Sequence, residues 1–351
     1  MQLVVQRRLV LGGMAALLAA CTDGVRPGAV GAALLLPLTG DAADLGRNMA
    51  RAAMLAGTGR TAEAMPAVYD TGDTAEGAAA AAVKALAAGA RLLLGPLRRD
   101  QTQAVLAVAG DVPVVTFSND DALAGQGAFV LGITAAQSVS AMFSYAAAQG
   151  IKRLAVVARD GPLGVASIDA AVRIAAAGGL LMSATLLRDP AKPGLVQDLR
   201  RASGGTLPQA VFLPDGGAAL AGFAGGLQGS TMQLMGSVQW GIGDVAGLAA
   251  LEGAWFTAPQ PAQFQPFADR FVARYQDEPG VVAALAYDAA LLALTLGDTR
   301  QMTRRGLTRA AGFTGALGHF RLRDDGRCQR DLAVLGVQGR RIVVLAEVAG
   351  T

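Results

Sequence analysis

At 351 residues the chain is longer than one hydrophobic core comfortably holds, so its length points to two α/β domains of ordinary size. Hydrophobic residues make up 52% and aromatic residues only 5%, with Ala and Gly dominant, which favours close helix-on-sheet packing over an aromatic-rich binding surface. The formal net charge of +3 includes Arg7 and Arg8 of a removable leader; without them 28 basic residues face 27 acidic ones, and no Lys/Arg block supports nucleic-acid binding.

The leader reads in three parts. Gln6, Arg7 and Arg8 form a positive n-region, Leu9 to Leu17 an apolar h-region too short to span a bilayer, and Leu18-Ala19-Ala20-Cys21 follows directly. Residues 22–29 form a short Gly/Pro tether. Val30 to Leu36 is then a continuous apolar run of strand length, broken by Pro37, Thr39, Gly40 and Asp41. Leu45, Met49, Ala52, Ala53 and Ala56 recur at helical spacing. This strand, turn and helix place the Thr39 to Gly46 turn at the carboxyl end of a strand, beside the positive end of a helix, where open α/β sheets bind ligands.

The rhythm continues. Strands are predicted over 65–70, 91–94 and 112–117, with helices over 74–88 and 101–109, the latter capped by Asp100. The third strand runs into Gly95-Pro96-Leu97-Arg98-Arg99 and the fourth ends in Ser118-Asn119-Asp120, so strand ends at Thr39, Arg98 and Ser118 converge on one edge of a parallel, doubly wound sheet. Residues 129–133 read as a strand leaving the first domain. A second βα series follows, with helices over 135–149, 165–177, 195–202 and 218–227 and strands over 153–158, 180–187, 210–213 and 232–235. Residues 253–257, with Pro259 and Pro261, read as another crossing. Helices over 264–275 and 281–296 have no accompanying strands, the latter with a core-like Ala/Leu stripe. Strands over 316–322, 332–337 and 342–348 close the chain, with turns at Asp325-Gly326 and Gln338-Gly339.

The second series ends its strands in Asp160 to Gly164, Asp215-Gly216 and Gln239-Trp240. Asp160 and Asp215 precede helices and read either as caps or as ligand groups; Trp240 reads either as an apolar cover for a ligand or as hinge packing. The chain carries two cysteines and one histidine. With Cys21 modified, Cys328 has no disulfide partner, and His319, in a strand-like alternation, leaves little scope for a metal cage or a nucleophilic triad. Walker-type Gly-Lys-Ser/Thr is absent, and Lys84, Lys152 and Lys192 do not suggest a Schiff-base site. The expectation is a protein that is not an enzyme and needs no cofactor.

Leu-Ala-Ala-Cys21 resembles a bacterial lipobox, which implies acylation of Cys21 and, with Thr22 following, an outer-membrane anchor in the periplasm; Arg7-Arg8 allow twin-arginine as well as general export. Two doubly wound lobes with the Leu-Pro-Leu-Thr-Gly turn first and Tyr287-Asp288-Ala289 late resemble the type I periplasmic binding proteins, the leucine-binding-protein family. Within that superfamily, Leu34-Leu35-Leu36-Pro37-Leu38-Thr39-Gly40, Leu45-Gly46-Arg47 and Leu94-Gly95-Pro96-Leu97 resemble the penicillin-binding-protein activators, whose larger members carry a helical-repeat domain where this chain has only its tether. The resemblance implies two Rossmann-like lobes with parallel sheets and a multi-crossing hinge. It divides the chain into a leader (1–20), Cys21 and tether (21–29), lobe one (28–132 plus 256–330) and lobe two (133–255 plus 331–351). It implies docking onto a bifunctional penicillin-binding protein or, alternatively, solute capture for an ABC permease, with Thr39, Gly40, Arg98, Arg99, Ser118, Asn119, Asp120, Asp160, Asp215 and Trp240 around the cleft. Amino-acid-binding relatives use hydroxyls and backbone amides where this chain has Arg98 and Arg99.

Overall fold

The structure, a computed structural model, describes residues 31–241 and 243–350; Cys21, the leader and the tether lie outside them. The chain begins with β1 (Ala32–Leu36), α1 (Ala43–Ala56), β2 (Ala67–Asp70), α2 (Ala75–Ala87), β3 (Leu92–Leu94), α3 (Arg99–Ala109), β4 (Val114–Thr116) and β5 (Phe129–Val130). These strands form a parallel sheet in the order β2-β1-β3-β4-β5. Helices cover both faces, so β1 and β3 are buried along their whole length and read as unbroken apolar runs. Ala78, Ala81, Ala82 and Ala85 form the buried stripe of α2, small enough to let the helix lie close on the sheet.

The second lobe follows, with α4 (Ala135–Ala148), β6 (Arg153–Ala158), α5 (Pro162–Ala177), β7 (Leu181–Leu187), α6 (Leu195–Ala202), β8 (Ala210–Leu213), α7 (Gly217–Gly226), β9 (Gln233–Gly236) and β10 (Trp255–Ala258). α8 (Pro261–Tyr275) and α9 (Gly280–Asp298) return to the first lobe. The short α10 (Arg304–Leu307) leads into a three-stranded antiparallel sheet of β11 (Phe313–Gly315), β12 (Gly318–Leu322) and β13 (Cys328–Arg330). Finally β14 (Leu332–Gln338) and β15 (Arg341–Val348) join the second sheet antiparallel, completing the order β15-β14-β10-β9-β8-β6-β7.

Two expectations shift here. The stretch at 253–257 is not a crossing: β10 pairs with β9 in parallel and with β14 antiparallel inside the second sheet. The backbone therefore crosses after Ala258, not at 256, because Pro259 and Pro261 stop the strand and start α8. The third sheet gains β11 and β13, which carry too few alternating apolar residues to read as strands.

α9 is long and apolar enough to cross a membrane, yet 67% of its most apolar 18-residue window is buried. It is the core helix of the first lobe, packing on α1 through a cluster that includes Met49, Ala52, Ala53 and Leu292. Its Asp288 is wholly buried and meets the equally buried Arg330 of β13 at 3.2 Å. Asp288 Oδ1 accepts from the Ala316 amide at 2.6 Å, and Arg330 donates to the carbonyls of Leu131 and Leu317 at 3.4 Å. Arg330 also lies over the Phe320 ring, 4.8 Å from its centroid. Burial pushes the Asp288 carboxyl up to about 6 despite the attraction of Arg330.

A native value above that of the unfolded chain means that the native state holds the proton longer. The stability supplied by this group is therefore full below about pH 4 and declines as pH rises through 6. Arg330→Met, which leaves the carboxylate buried without its cation, is expected to cost about 3–5 kcal/mol in urea unfolding at pH 7. The loss should shrink toward pH 5, and adding Asp288→Asn should restore most of it. A loss independent of pH would show that the pair is not what holds this junction.

Candidate functional site

Three segments pass between the lobes, and their attachment points orient both sheets. Residues 131–134 leave the carboxyl end of β5, and 259–260 leave the carboxyl end of β10. Arg330 to Leu332 enters β14 at the same edge of the second sheet, since Ala258 pairs with Ala333. Both carboxyl edges therefore lie on the crossing side, facing each other. The first crossing is fixed locally by a reciprocal cap, in which Thr134 Oγ1 accepts from the Gln137 amide at 3.3 Å and Gln137 Oε1 from the Thr134 amide at 2.9 Å.

At the first lobe's edge the predicted residues come together, most of them already engaged. Thr39 donates its hydroxyl to Asp70 Oδ2 at 2.7 Å, while Asp70 Oδ1 accepts from the amides of Leu38, Thr39 and Gly72 at 2.9, 3.2 and 2.8 Å. Burial works against the Asp70 charge, but these donors outweigh it and hold the carboxyl below its usual range. Gly40, at φ 87°, is pressed against the turn after β2: a Cβ there would lie 2.9 Å from the Gly72 carbonyl oxygen. That turn also carries Asp73, which takes a two-pronged grip from Arg98, Nε to Oδ1 and Nη2 to Oδ2, both at 2.8 Å. Gln101 Nε2 adds a third donor at 3.0 Å.

Arg98, not Asp100, is the residue before α3; its amide is covered by Gln101 Oε1 at 3.3 Å, and Asp100 falls inside the first turn. Arg99 pairs with Asp120 at 2.8 Å. Asp120 also accepts from the Ala122 amide at 3.0 Å, and its own amide donates to the buried Ser118 hydroxyl at 3.3 Å. Asn119 between them is exposed. Asp70 and Asp73 were missed from sequence. The signal was Asp70-Thr71-Gly72-Asp73 at a strand end, an Asp followed two residues later by Gly, which suits a side chain bonding its own turn.

At the second lobe's edge Asp215 is buried and accepts from the Arg159 amide at 2.9 Å, with the Arg159 side chain at 3.8 Å; it ties the ends of β6 and β8 together. It is not a cap, since Gly216 precedes α7, and Asp160 is not one either, since Gly161 precedes α5. Asp160 is exposed. Trp240 does not line this edge. It is fully buried in the second lobe's core, stacked on Phe256 with its indole N–H donated to the Leu213 carbonyl at 2.9 Å, because the small Gly236 of β9 leaves room for the ring.

His319 lies half-exposed on β12, with Nε2 3.2 Å from the Ala311 carbonyl oxygen. Burial pushes the Cys328 thiol up to about 11, so it stays protonated and unreactive at neutral pH. Among the described residues no group of three or more His, Cys, Asp or Glu could hold a metal ion.

A family model described as "Periplasmic binding protein" matches residues 29–341. The chain belongs to that family. Its members are solute-binding proteins of the periplasm and not enzymes. No curated protein matches the sequence. Solved structures share the fold at low identity. A Rhodospirillum rubrum protein proposed as a branched-chain amino acid ABC transporter superposes with TM-score 0.78 at 20% identity, covering 90% of this chain and 99% of that one. A branched-chain amino acid ABC transporter periplasmic ligand-binding protein of Burkholderia xenovorans gives 0.73 at 19%, covering 91% and 95%. An ABC transporter solute-binding protein of Rhodopseudomonas palustris, in complex with 3,4-dihydroxybenzoic acid, gives 0.68 at 18%, covering 91% and 97%.

The Arg98 grip holds the Asp73 carboxyl below its usual range. A lowered native value contributes stability above the unfolded value near 4, and that stability is lost as pH falls through the native one. Arg98→Ala is expected to move the Asp73 titration midpoint, followed by NMR, upward toward an ordinary carboxylate; an unmoved midpoint would show that the grip carries no interaction.

Proposed function

We propose that this periplasmic binding protein captures a small organic carboxylate between its two strand edges and delivers it to an ABC permease, held at the membrane through an acylated Cys21. The observation that carries this reading is the cluster at the first lobe's edge. Arg98, Arg99, Ser118 and Asn119 stand together on the ends of neighbouring strands, across the crossings from Arg159 and Asp160. Guanidiniums beside a hydroxyl and exposed amides suit a planar carboxylate. The names of the structural relatives support the same chemistry, whether the bound solute is an amino acid or an aromatic acid. An ammonium group makes a further demand. Asp70, Asp73, Asp120 and Asp215 already serve other donors, which leaves the exposed Asp41 and Asp160 as candidate acceptors. An aromatic acid asks nothing of them.

A second reading keeps the same fold but has the body dock onto a bifunctional penicillin-binding protein. The observation in its favour is that Asp73 and Asp120 already pair the two arginines, so the first lobe's edge differs from one built to hold a free amino acid.

Calorimetric titration with benzoate, 4-hydroxybenzoate and leucine tests the first reading. The expected result is saturable binding of a benzoate, tighter than that of leucine, with Arg99→Ala weakening it at least about tenfold, the scale of one hydrogen bond to a charged group. No binding of any of the three, together with retention of a penicillin-binding protein on the immobilised chain and faster glycan polymerisation, would transfer the function to the second reading.

A further inference from the structure

A groove of about 400 Å³, separate from the residues of the strand-edge cluster, opens between the lobes. The β12–β13 turn of the first lobe lines it with Arg323, Asp325 and Arg327, and the far half of α5 in the second lobe with Arg173. Its volume lies at the low end of the range for small-molecule sites. The charges do not cancel. One oxygen of Asp325 serves both Arg323, at 3.6 Å, and Arg327, at 3.2 Å. Asp121, the other carboxylate of the described lining, is hydrogen-bonded to Thr134 and partly withdrawn from solvent; it feels the charges of Arg327 and Arg173, but Arg173 makes no ion pair within 4 Å among the described residues. Among the described residues three guanidiniums, besides the Arg330 already paired with Asp288, thus face two carboxylates.

The second observation is independent of that count. Arg330 also lines the groove, is 2% exposed, and its Nε is a buried donor with no acceptor among the described residues, although its terminal nitrogens are spent on Asp288, Leu131 and Leu317. A buried guanidinium N–H without an acceptor is costly; Nε is closed to the groove as it stands, and a small shift of the lining would let an oxyanion or a water at the floor accept from it.

We propose that this groove is a second binding site, for a small oxyanion of the carboxylate or phosphate type, and that the ligand bridges the lobes by engaging Arg173 on one side and Arg323 and Arg327 on the other. Because both lobes contribute, such a ligand binds best at one angle between them and biases the hinge toward it. The ligand of the strand-edge site plays no part in this proposal.

The test is calorimetric titration of the purified protein with citrate and, separately, with inorganic phosphate, each at ionic strength matched with sodium chloride. Saturable binding of either probe is expected, the arm that responds identifying the class. Arg173→Gln and Arg323→Gln, both at exposed positions, should each weaken it at least about tenfold with thermal unfolding unchanged, while Arg99→Ala leaves it unchanged. A response no larger than that to chloride overturns the proposal. So does full affinity in either groove variant, and so does loss in Arg99→Ala, which would place the anion at the strand edge.

Discussion

The crossings between the two lobes are anchored on the first lobe by a buried pair of opposite charges. Asp288 belongs to the core helix of the first lobe and Arg330 to the last residue of the third sheet, immediately before the chain enters the second lobe. Through its other donors Arg330 reaches Leu131, at the first crossing, and Leu317, at the start of β12. One guanidinium thus fixes the first and third crossings relative to α9. Apolar packing alone would not do this, because hydrophobic contact has no direction and would tolerate sliding of the crossings. The pair costs desolvation on both sides, which is why Asp288 titrates near 6, and a cost of that kind is tolerated where it specifies geometry.

That junction sets the level at which the strand edges meet. The first sheet ends in β5 directly before Leu131, and β14 starts one residue beyond Arg330, after Asp331. A shift of either crossing would move Ser118 or the end of β10 with it. Gly132 shows how tight this is, since a Cβ there would lie 2.3 Å from the Ser118 carbonyl oxygen. The lobes remain hinged about three connections, but the hinge has a defined origin.

Most of the fold was legible because parallel strands covered on both faces must be apolar throughout. Ala32 to Leu36, Leu92 to Leu94 and Ala210 to Leu213 are short, unbroken and flanked by turn residues, and no other local structure explains them as well. β13 was not legible. Cys-Gln-Arg carries no apolar alternation, and its inward Arg330 is buried only because Asp288, 42 residues earlier, awaits it. β10 was misread for a related reason: the prolines that end it lie so close that the run looked like connecting chain. The site divides the same way. Thr39, Arg98 and Ser118 follow from one rule, that the residue after a parallel strand stands at the sheet's edge. Their partners Asp70 and Asp73 also stand at a strand end, but which residues they pair with follows from no local rule, since they lie 31 residues from Thr39 and 25 from Arg98. Trp240 obeyed the rule and still turned inward, since an indole beside a glycine-bearing strand gains more by stacking on Phe256 than by facing water.

The pairing at the first lobe's edge can be mistaken for closure, but a guanidinium has five N–H donors and a carboxylate takes two of them. Asp73 occupies Nε and one hydrogen of Nη2 on Arg98, and Asp120 occupies Nη1 on Arg99, so each arginine keeps donors for a further oxyanion while being held in one orientation. Holding it beforehand removes rotamer freedom that a ligand would otherwise have to freeze. The cost is that the two guanidinium charges are already offset by Asp73 and Asp120, with Asp70 close by, so on the proposed reading a carboxylate would be drawn to this edge by directed hydrogen bonds and not by net field, and its binding should respond weakly to salt. The groove beneath the β12–β13 turn is built on the opposite principle. Its guanidiniums outnumber its carboxylates, and its pull on an anion should fade as ionic strength rises. On the two proposals made above, the regions would sort anions by different physics, one by the geometry of the carboxyl group and the other by charge.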